Sequence, residues 1–108
     1  MDLKLAAHPI TENLGPTQFV DESYWKLVGS EKNVHLLASG TEAGLARPLI
    51  WVREQGPGRV FVSIPGHYTW TFDDPLFRLL LLRGIAWAGH QPLNRFNELV
   101  NIGARLAD

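Results

Sequence analysis

The sequence predicts a small mixed α/β domain, and two neighbouring features in its second half carry the prediction. Residues 49–53 (LIWVR) and 59–64 (RVFVSI) are β-rich runs joined by a short loop rich in Gly and Pro, which is typical of a β-hairpin. Alternate residues of a strand face opposite sides of the sheet, so at least one apolar face has to be covered. The strongly apolar residues 75–88 follow and predict a helix that covers it.

The ends of this helix are marked by residues with clear capping preferences. Asp74 offers an N-cap carboxylate, and Pro75 fits the first helical position, where its missing N–H costs nothing. Gly89 suits the C-terminal cap, and Pro92 prevents continuation. Because apolar residues cover more than one stripe of this helix, we expect it to be buried on two sides.

The remaining elements are less regular. Residues 19–20 and 24–28 are β-prone, flank an acidic pair and favour an irregular strand that ends at Gly29. Residues 34–38 (VHLLA) are typical of a second, largely buried strand. The patchy apolar pattern of residues 94–106 favours a further helix.

Composition indicates one globular domain over residues 1–108 and excludes several functions. With 45% hydrophobic and 19% charged residues, a chain of this length has enough apolar surface for one core. Ten basic residues balance eleven acidic ones and are scattered singly along the chain, so we expect no nucleic-acid partner. The apolar run 79–82 is far too short to span a membrane, and residues 1–7 lack an apolar leader, so we expect a cytoplasmic protein without membrane attachment.

The residue types present limit the chemistry. The absence of cysteine excludes disulfides, thiolate nucleophiles and cysteine-based zinc sites. The sequence also lacks a phosphate-binding glycine loop, a His-Glu-x-x-His zinc helix and a serine nucleophile elbow. Nucleophilic catalysis is therefore unsupported, and the sequence leaves open whether the protein is an enzyme.

Two histidines stand where the local sequence directs the imidazole. Gly66 and His67 follow the second hairpin strand, where α/β folds place ligand-binding loops, although a structural turn fits equally well. His8 precedes Pro9, and a ring held there can act as a base, a hydrogen-bond donor or a metal ligand, or can pack within a loop.

An acidic pair lies within the aromatic segment of the first half. Asp21 and Glu22 are candidates for binding sugar hydroxyls or for acid–base chemistry, and a solvated turn is the alternative. On a regular strand adjacent residues point to opposite faces, so the two carboxylates would not address one site. Their adjacency does not make them a glycosidase pair.

Aromatic and basic side chains in the second half have two interpretations each. Tyr68, Trp70 and Phe72 alternate and form either a platform for sugar rings or an anchor in the core. Arg59 and Arg83 bind carboxylates or phosphates, or pair with neighbouring acids.

Several short motifs, taken together, resemble the ThuA-like (trehalose-utilisation) family in order and spacing. They lie between Ala7 and Gly89 and are most specific from Gly58 to Trp87. The matching residues are His8-Pro9-Ile10-Thr11, Phe19, Asp21-Glu22, Tyr24, Pro48, Trp51, Gly58-Arg59-Val60-Phe61, Gly66-His67, Phe72, Asp74-Pro75, Phe77, Leu82-Arg83-Gly84-Ile85 and Trp87.

The resemblance implies a fold and a metabolic role. The implied fold is a partial flavodoxin-like, amidotransferase-like sheet with a C-terminal β-hairpin and a buried helix. The early parallel strands of such a domain would precede His8, where this sequence has seven residues, so the chain corresponds to the C-terminal half. The implied role lies in the use of trehalose and related disaccharides.

The resemblance also carries over a set of site positions. The family's pocket positions fall on His8, Glu22, Tyr24, Gly66 and His67. A zinc ion between His8 and His67 with a carboxylate is compatible with these positions, but their spacing does not require one, and we expect no cofactor.

Three hypotheses for function stay open, of which the weakest is a hydrolase or isomerase that uses His67 and Glu22 as acid and base. In the first, the protein binds a saccharide or keto-sugar near His67 and forms a homo-oligomer that seals its exposed sheet edges. In the second, it is a non-catalytic structural or interaction module that retains only half of the fold.

Overall fold

The computed structural model describes residues 1–101, which form one β-sheet, one α-helix and four short 3-10 helices. The strands are β1 (Asp2–Leu5), β2 (Thr17–Gln18), β3 (His35–Glu42), β4 (Leu45–Gln55) and β5 (Gly58–Ser63), and helix α1 is Pro75–Ala88. The 3-10 helices are Pro9–Thr11, Glu31–Asn33, Thr69–Asp73 and Asn97–Asn101. The strand order in the sheet is β2-β1-β3-β4-β5.

Every strand pair in this described sheet is antiparallel. Residues 43–44 join β3 to β4, and residues 56–57 join β4 to β5. Connections of two residues permit only antiparallel pairing, since a parallel crossover needs about a dozen residues or more. The hairpin is thus confirmed and a mixed α/β class is shown, but the parallel strands expected of a flavodoxin-like sheet are not found in residues 1–101.

Two bulges place neighbouring apolar residues on one face of the sheet. Leu37 on β3 and Leu49 on β4 have no partner in the register between these strands. Each is buried beside another buried residue, Ala38 and Ile50 respectively. A bulge interrupts the alternation of a strand, so these two strands bury consecutive residues that a regular strand would send to opposite faces.

Helix α1 begins and ends where its caps predict. The Asp74 carboxylate accepts hydrogen bonds from the backbone N–H groups of Leu76 (2.8 Å) and Phe77 (3.2 Å), and Gly89 is the C-cap residue. These bonds satisfy N–H groups of the first turn that have no partner within the helix.

The helix packs on the sheet through one face. Phe77, Leu80 and Gly84, spaced three and four residues apart, are buried. At Gly84 the helix approaches β5 so closely that an added Cβ would lie 2.6 Å from ring carbons of Phe61. Ala86, on the side of the helix opposite Phe77, is also fully buried, whereas Ile85 is 56% exposed, so burial extends beyond the sheet-facing side of α1 as expected but does not cover the whole helix.

The core draws on the first half of the chain, the central strands and the helix. One cluster of buried apolar side chains joins them. Its members are Leu3, Ile10, Phe19, Leu37, Ala38, Leu49, Ile50, Val52, Phe77 and Leu80.

The predicted strand within residues 19–28 is wrong. Phe19 is buried, but Val20 is 75% exposed and the segment is irregular. β-Propensity expresses how well a side chain packs on a sheet, and the central strands already have partners on both edges. The segment instead passes against β4, where the Arg47 guanidinium lies 4.9 Å from the centre of the Trp25 ring.

The other predicted elements have mixed outcomes. The strand expected at residues 34–38 is confirmed within the longer β3. The helix expected at 94–106 is a 3-10 helix over Asn97–Asn101, and the rest of that prediction lies outside the described residues. Within residues 1–101 no helix is both long enough and apolar enough to cross a membrane.

Candidate functional site

The Asp21 carboxylate fixes the loop that follows β5. Its oxygens accept hydrogen bonds from the backbone N–H groups of Gly66 (2.9 Å) and His67 (3.1 Å) and from the Thr71 hydroxyl (2.5 Å). A fourth bond comes from the backbone N–H of Glu22 at 2.7 Å. Because a carboxylate satisfies several donors at once, one side chain joins two segments 45 residues apart in sequence.

These hydrogen bonds also set the ionisation of Asp21. Desolvation by burial is the largest influence and disfavours the charged form, but the bonds from Thr71, Glu22, Gly66 and His67 together outweigh it. The pKa of Asp21 is therefore held below its ordinary value, and the carboxylate that anchors the loop stays ionised at neutral pH.

Glu22, Tyr24 and His67 meet in a three-way contact beside this anchor. The Tyr24 hydroxyl donates to Glu22 Oε2 at 3.0 Å and lies 3.2 Å from His67 Nδ1. His67 Nδ1 is also 3.2 Å from Glu22 Oε2. An ionised carboxylate only accepts hydrogen bonds, so this contact favours the tautomer with the proton on Nδ1 and leaves Nε2 as the ring's acceptor.

The hydrogen bond to Glu22 is the main influence on Tyr24. That bond, followed by desolvation and by the negative charge of Glu22, raises the pKa of Tyr24 above its ordinary value. The hydroxyl thus keeps its proton over the physiological pH range and acts in this cluster as a neutral donor and acceptor.

The cluster is open to solvent. The side chains of Glu22 and His67 are 48% and 44% exposed, and Tyr24 is 49% exposed. A ligand can therefore reach all three groups without a conformational change, although the protein does not exclude water from them.

An aromatic pair extends the cluster along the surface. The Tyr68 ring makes an edge contact with His67 at a centroid distance of 4.7 Å, and it stacks on Trp70 at 4.2 Å with an interplanar angle of 11°. Trp70 is 49% exposed, and its indole N–H donates to the Val20 carbonyl at 2.6 Å. Tyr68 and Trp70 thus form a surface platform, whereas Phe72 makes an edge contact with the core residue Phe77.

Glycine is required at position 66 by the backbone. Gly66 has a φ of +132°, in a region that L side chains rarely adopt. An added Cβ would also lie 3.2 Å from the Phe72 ring. The glycine permits the turn that presents both N–H groups to Asp21 and projects His67 towards Glu22.

His8 belongs to a different cluster. Its Nδ1 accepts from the backbone N–H of Ile10 at 3.1 Å, and its ring makes edge contacts with His35 (5.0 Å) and Trp87 (5.9 Å). The metal arrangement between His8 and His67 gains no support, because residues 1–101 contain no group of three or more His, Asp or Glu side chains suited to a metal ion.

The two candidate arginines serve the fold. Arg59 donates to the Trp87 carbonyl (3.1 Å), lies over the indole ring at 4.7 Å and pairs with Glu54 at 3.7 Å. Arg83 donates to two backbone carbonyls, those of Ile10 and Glu12, each at 2.9 Å. The expected pairing with a neighbouring acid therefore holds for Arg59, whereas the contacts described for Arg83 are to carbonyl oxygens.

The structure brings together four of the five site positions expected from the sequence: Glu22, Tyr24, Gly66 and His67. The sequence does not reveal the role of Asp21, because it predicts a strand here, and neighbouring carboxylates on a regular strand point to opposite faces. In the irregular backbone observed, both acids address the same loop. The signal available in the sequence was a carboxylate 45 residues before a Gly-His turn, which does not reveal contact by itself.

Fold and site together define a mixed α/β domain with an exposed acid–tyrosine–histidine cluster, in which the histidine lies on the loop after the hairpin and the other two residues on the segment between β2 and β3. The family model ThuA, described as trehalose utilisation, matches residues 1–88, which include the whole cluster. The chain belongs to the ThuA family. No curated protein and no solved structure matches it significantly.

Proposed function

We propose that this ThuA-family protein acts in trehalose or disaccharide metabolism by binding a saccharide or keto-sugar at the Glu22–Tyr24–His67 cluster. The three-way contact of these side chains on a loop held by Asp21 is the observation that carries the proposal. Family membership supplies the metabolic context, and the cluster supplies the recognition chemistry.

The groups present match the surface of a sugar. Glu22 and the free Nε2 of His67 accept hydrogen bonds from sugar hydroxyls, and the Tyr24 hydroxyl can donate or accept. The stacked Tyr68–Trp70 pair, of which Trp70 is 49% exposed and Tyr68 is half-buried, offers an apolar surface for the C–H face of a pyranose ring. The polar groups would orient the sugar through hydrogen bonds, and the aromatic pair would supply apolar contact area for its ring.

The exposure of the cluster favours binding over catalysis. Acid–base chemistry by His67 and Glu22 requires both groups within hydrogen-bond reach of one substrate, and their 3.2 Å separation allows this. Efficient catalysis also gains from exclusion of water, which side chains exposed by nearly half do not provide. The same observation supports the second candidate, a non-catalytic interaction module.

We also propose that the protein forms a homodimer through β5. This strand lies at one end of the sheet order, and Val60 on it is 46% exposed. An unpaired strand edge with apolar side chains is a template for pairing with a second copy. Such pairing extends the sheet beyond the five strands of one chain.

The test is an NMR titration of the full chain with trehalose, other disaccharides, glucose and keto-sugars. We expect saturable shifts centred on His67 and Tyr24 for at least one of these sugars. Glu22→Gln and Tyr24→Phe should each weaken binding about tenfold, as expected for loss of one hydrogen bond to a charged group.

Glu12→Gln is the matched control, because Glu12 is exposed and its side chain lies outside the cluster. It should bind sugars as the parent does. If a folded parent shows no saturable shift with any sugar, the binding proposal is wrong and the interaction-module hypothesis is favoured.

A further inference from the structure

A second site candidate is a cleft beside His8. The cleft has a volume of about 440 Å³ and lies between the 3-10 helix Glu31–Asn33, the start of β3 and the C-terminal end of α1. His8, Lys32, His35, Arg53 and Trp87 are among the residues that line it. It shares no lining residue with the Glu22–Tyr24–His67 cluster.

The cleft carries more positive than negative charge. Lys32 and Arg53 contribute two cations, and within the described part of the chain neither side chain makes a hydrogen bond or an ion pair. Glu54 is the acidic residue of the lining, and its carboxylate pairs with Arg59 at 3.7 Å. Since the chain as a whole has a net charge of −1, this concentration of unpaired cations is a local feature.

His8 adds a hydrogen-bond donor to the lining of the same cleft. Its Nδ1 is occupied as an acceptor from the Ile10 N–H, so the neutral ring carries its proton on Nε2. That N–H is a donor with no partner among residues 1–101. Burial is the largest influence that lowers the pKa of His8, and the electrostatic effects of His35 and Arg59 act in the same direction.

The shape of the cleft suits a small molecule. The His8 ring meets the rings of His35 and Trp87 edge-on, and this group forms an aromatic wall beside the cationic groups. A volume of about 440 Å³ falls within the usual range of small-molecule sites. The donors of Lys32, Arg53 and His8, set beside an aromatic wall, match an oxyanion attached to a compact organic group.

We propose that this cleft binds a small metabolite bearing a phosphate or carboxylate oxyanion, held by Lys32, Arg53 and the Nε2–H of His8. The inference does not rest on the proposed saccharide site, because the residues that carry the two proposals are different. It gives the protein two separate recognition sites, one for neutral hydroxyls and one for an anion.

The test follows the imidazole Cε1–H signals of His8, His35 and His67 during NMR titrations at constant ionic strength. The probes are inorganic phosphate, a hexose 6-phosphate, gluconate and glucose. We expect at least one anionic probe to give saturable shifts of His8 and His35 that leave His67 unaffected. Comparison of the phosphate and gluconate titrations then identifies which oxyanion is preferred.

Charge-removing variants make the test specific. Lys32→Gln combined with Arg53→Gln should weaken anion binding at least about tenfold, whereas Lys4→Gln, on the exposed side of β1, should leave it unchanged. The proposal is overturned if no anion gives saturable shifts, if glucose shifts His8 and His35 as strongly as the anions do, or if the double variant binds like Lys4→Gln. Each result is independent of whether neutral sugars shift His67.

Discussion

At the scale of single residues, Asp21 holds the loop that carries His67. It acts through hydrogen bonds to the backbone of that loop. Its carboxylate accepts four hydrogen bonds, two of them from the backbone of the Gly66–His67 turn. The position of His67 relative to Glu22 therefore depends on a residue that need not touch the sugar. Asp21 is a positioning residue.

We expect Asp21→Asn to lower the free energy of unfolding by about 1–3 kcal/mol at pH 7, because the amide replaces a charged acceptor of several bonds. Urea unfolding followed by tryptophan fluorescence measures this change. Asp2→Asn is the control, since Asp2 is exposed and makes no side-chain hydrogen bond within residues 1–101. An Asp21→Asn protein as stable as the control would show that the anchor contributes nothing to the fold.

The lowered pKa of Asp21 also predicts a pH dependence. A carboxyl group whose folded-state pKa is depressed stabilises the protein fully above its unfolded pKa, here 3.8, and loses that contribution as the pH falls through the folded-state pKa. The stability difference between parent and Asp21→Asn should therefore shrink below about pH 4. A difference that stays constant from pH 7 to pH 3 would contradict the assigned ionisation.

Residue types and local context are enough to predict Gly66 and His67 as a loop position after a strand and Glu22 as a candidate carboxylate, and the family resemblance adds Tyr24. The convergence of these residues was not predictable from spacing. It depends on an irregular backbone between residues 20 and 24 and on a contact across 45 positions, neither of which leaves a periodic signal.

At the scale of elements, the sequence predicts those helices and strands that neighbouring residues specify. It does not predict those that depend on pairing between distant segments. Hairpin β4–β5 and helix α1 are specified by turn and cap residues next to them in sequence, and both were predicted. Strand β1 was missed, because four residues acquire strand structure only by pairing with β2 and β3. The aromatic segment 19–28 does not form the predicted strand, because it passes against β4, which already has a partner strand on each side.

Helix α1 provides a test of how closely helix and sheet pack. Gly84→Ala should raise intrinsic helix stability by about 1 kcal/mol, but the added methyl group overlaps the Phe61 ring at a cost of about 1–3 kcal/mol. We expect a net loss of about 1 kcal/mol in urea unfolding, the difference between these opposing effects.

The control for this prediction is to make Gly84→Ala in a protein that already carries Phe61→Leu. With a smaller side chain at position 61 the overlap is relieved, so Gly84→Ala should there be neutral or stabilising. Should Gly84→Ala stabilise the protein that retains Phe61, the close contact between α1 and β5 would be refuted.

At the scale of the whole molecule, the antiparallel sheet leaves β5 at its end, and this edge predicts self-association. Light scattering after size exclusion should give twice the chain mass of 12.1 kDa, and Val60→Lys should shift the protein to the monomer. Val28→Lys is the control, because Val28 is fully exposed and lies outside β5. A parent that remains monomeric at high concentration would exclude the homodimer.

The sequence predicts the mixed α/β class, but it does not predict that the strands of the sheet are antiparallel. Alternating strand and helix signals are shared by parallel and antiparallel α/β arrangements, and the resemblance favoured the parallel one. The two-residue connections at 43–44 and 56–57 require antiparallel pairing among the strands observed. The sequence does not predict the first of these connections, because it indicates two short strands at residues 34–38 and 49–53. The structure has two longer strands, β3 and β4, that form a hairpin.

The central claim is that a sugar occupies the surface formed by Glu22, Tyr24 and His67 beside the Tyr68–Trp70 platform. The most direct measurement is an isotope-filtered NOE experiment on the labelled protein with unlabelled trehalose or the disaccharide that binds best. The account predicts contacts from sugar ring protons to the aromatic protons of Tyr68 and Trp70 and to His67. Contacts confined to another surface, or none from a saturating sugar and a folded protein, would contradict it.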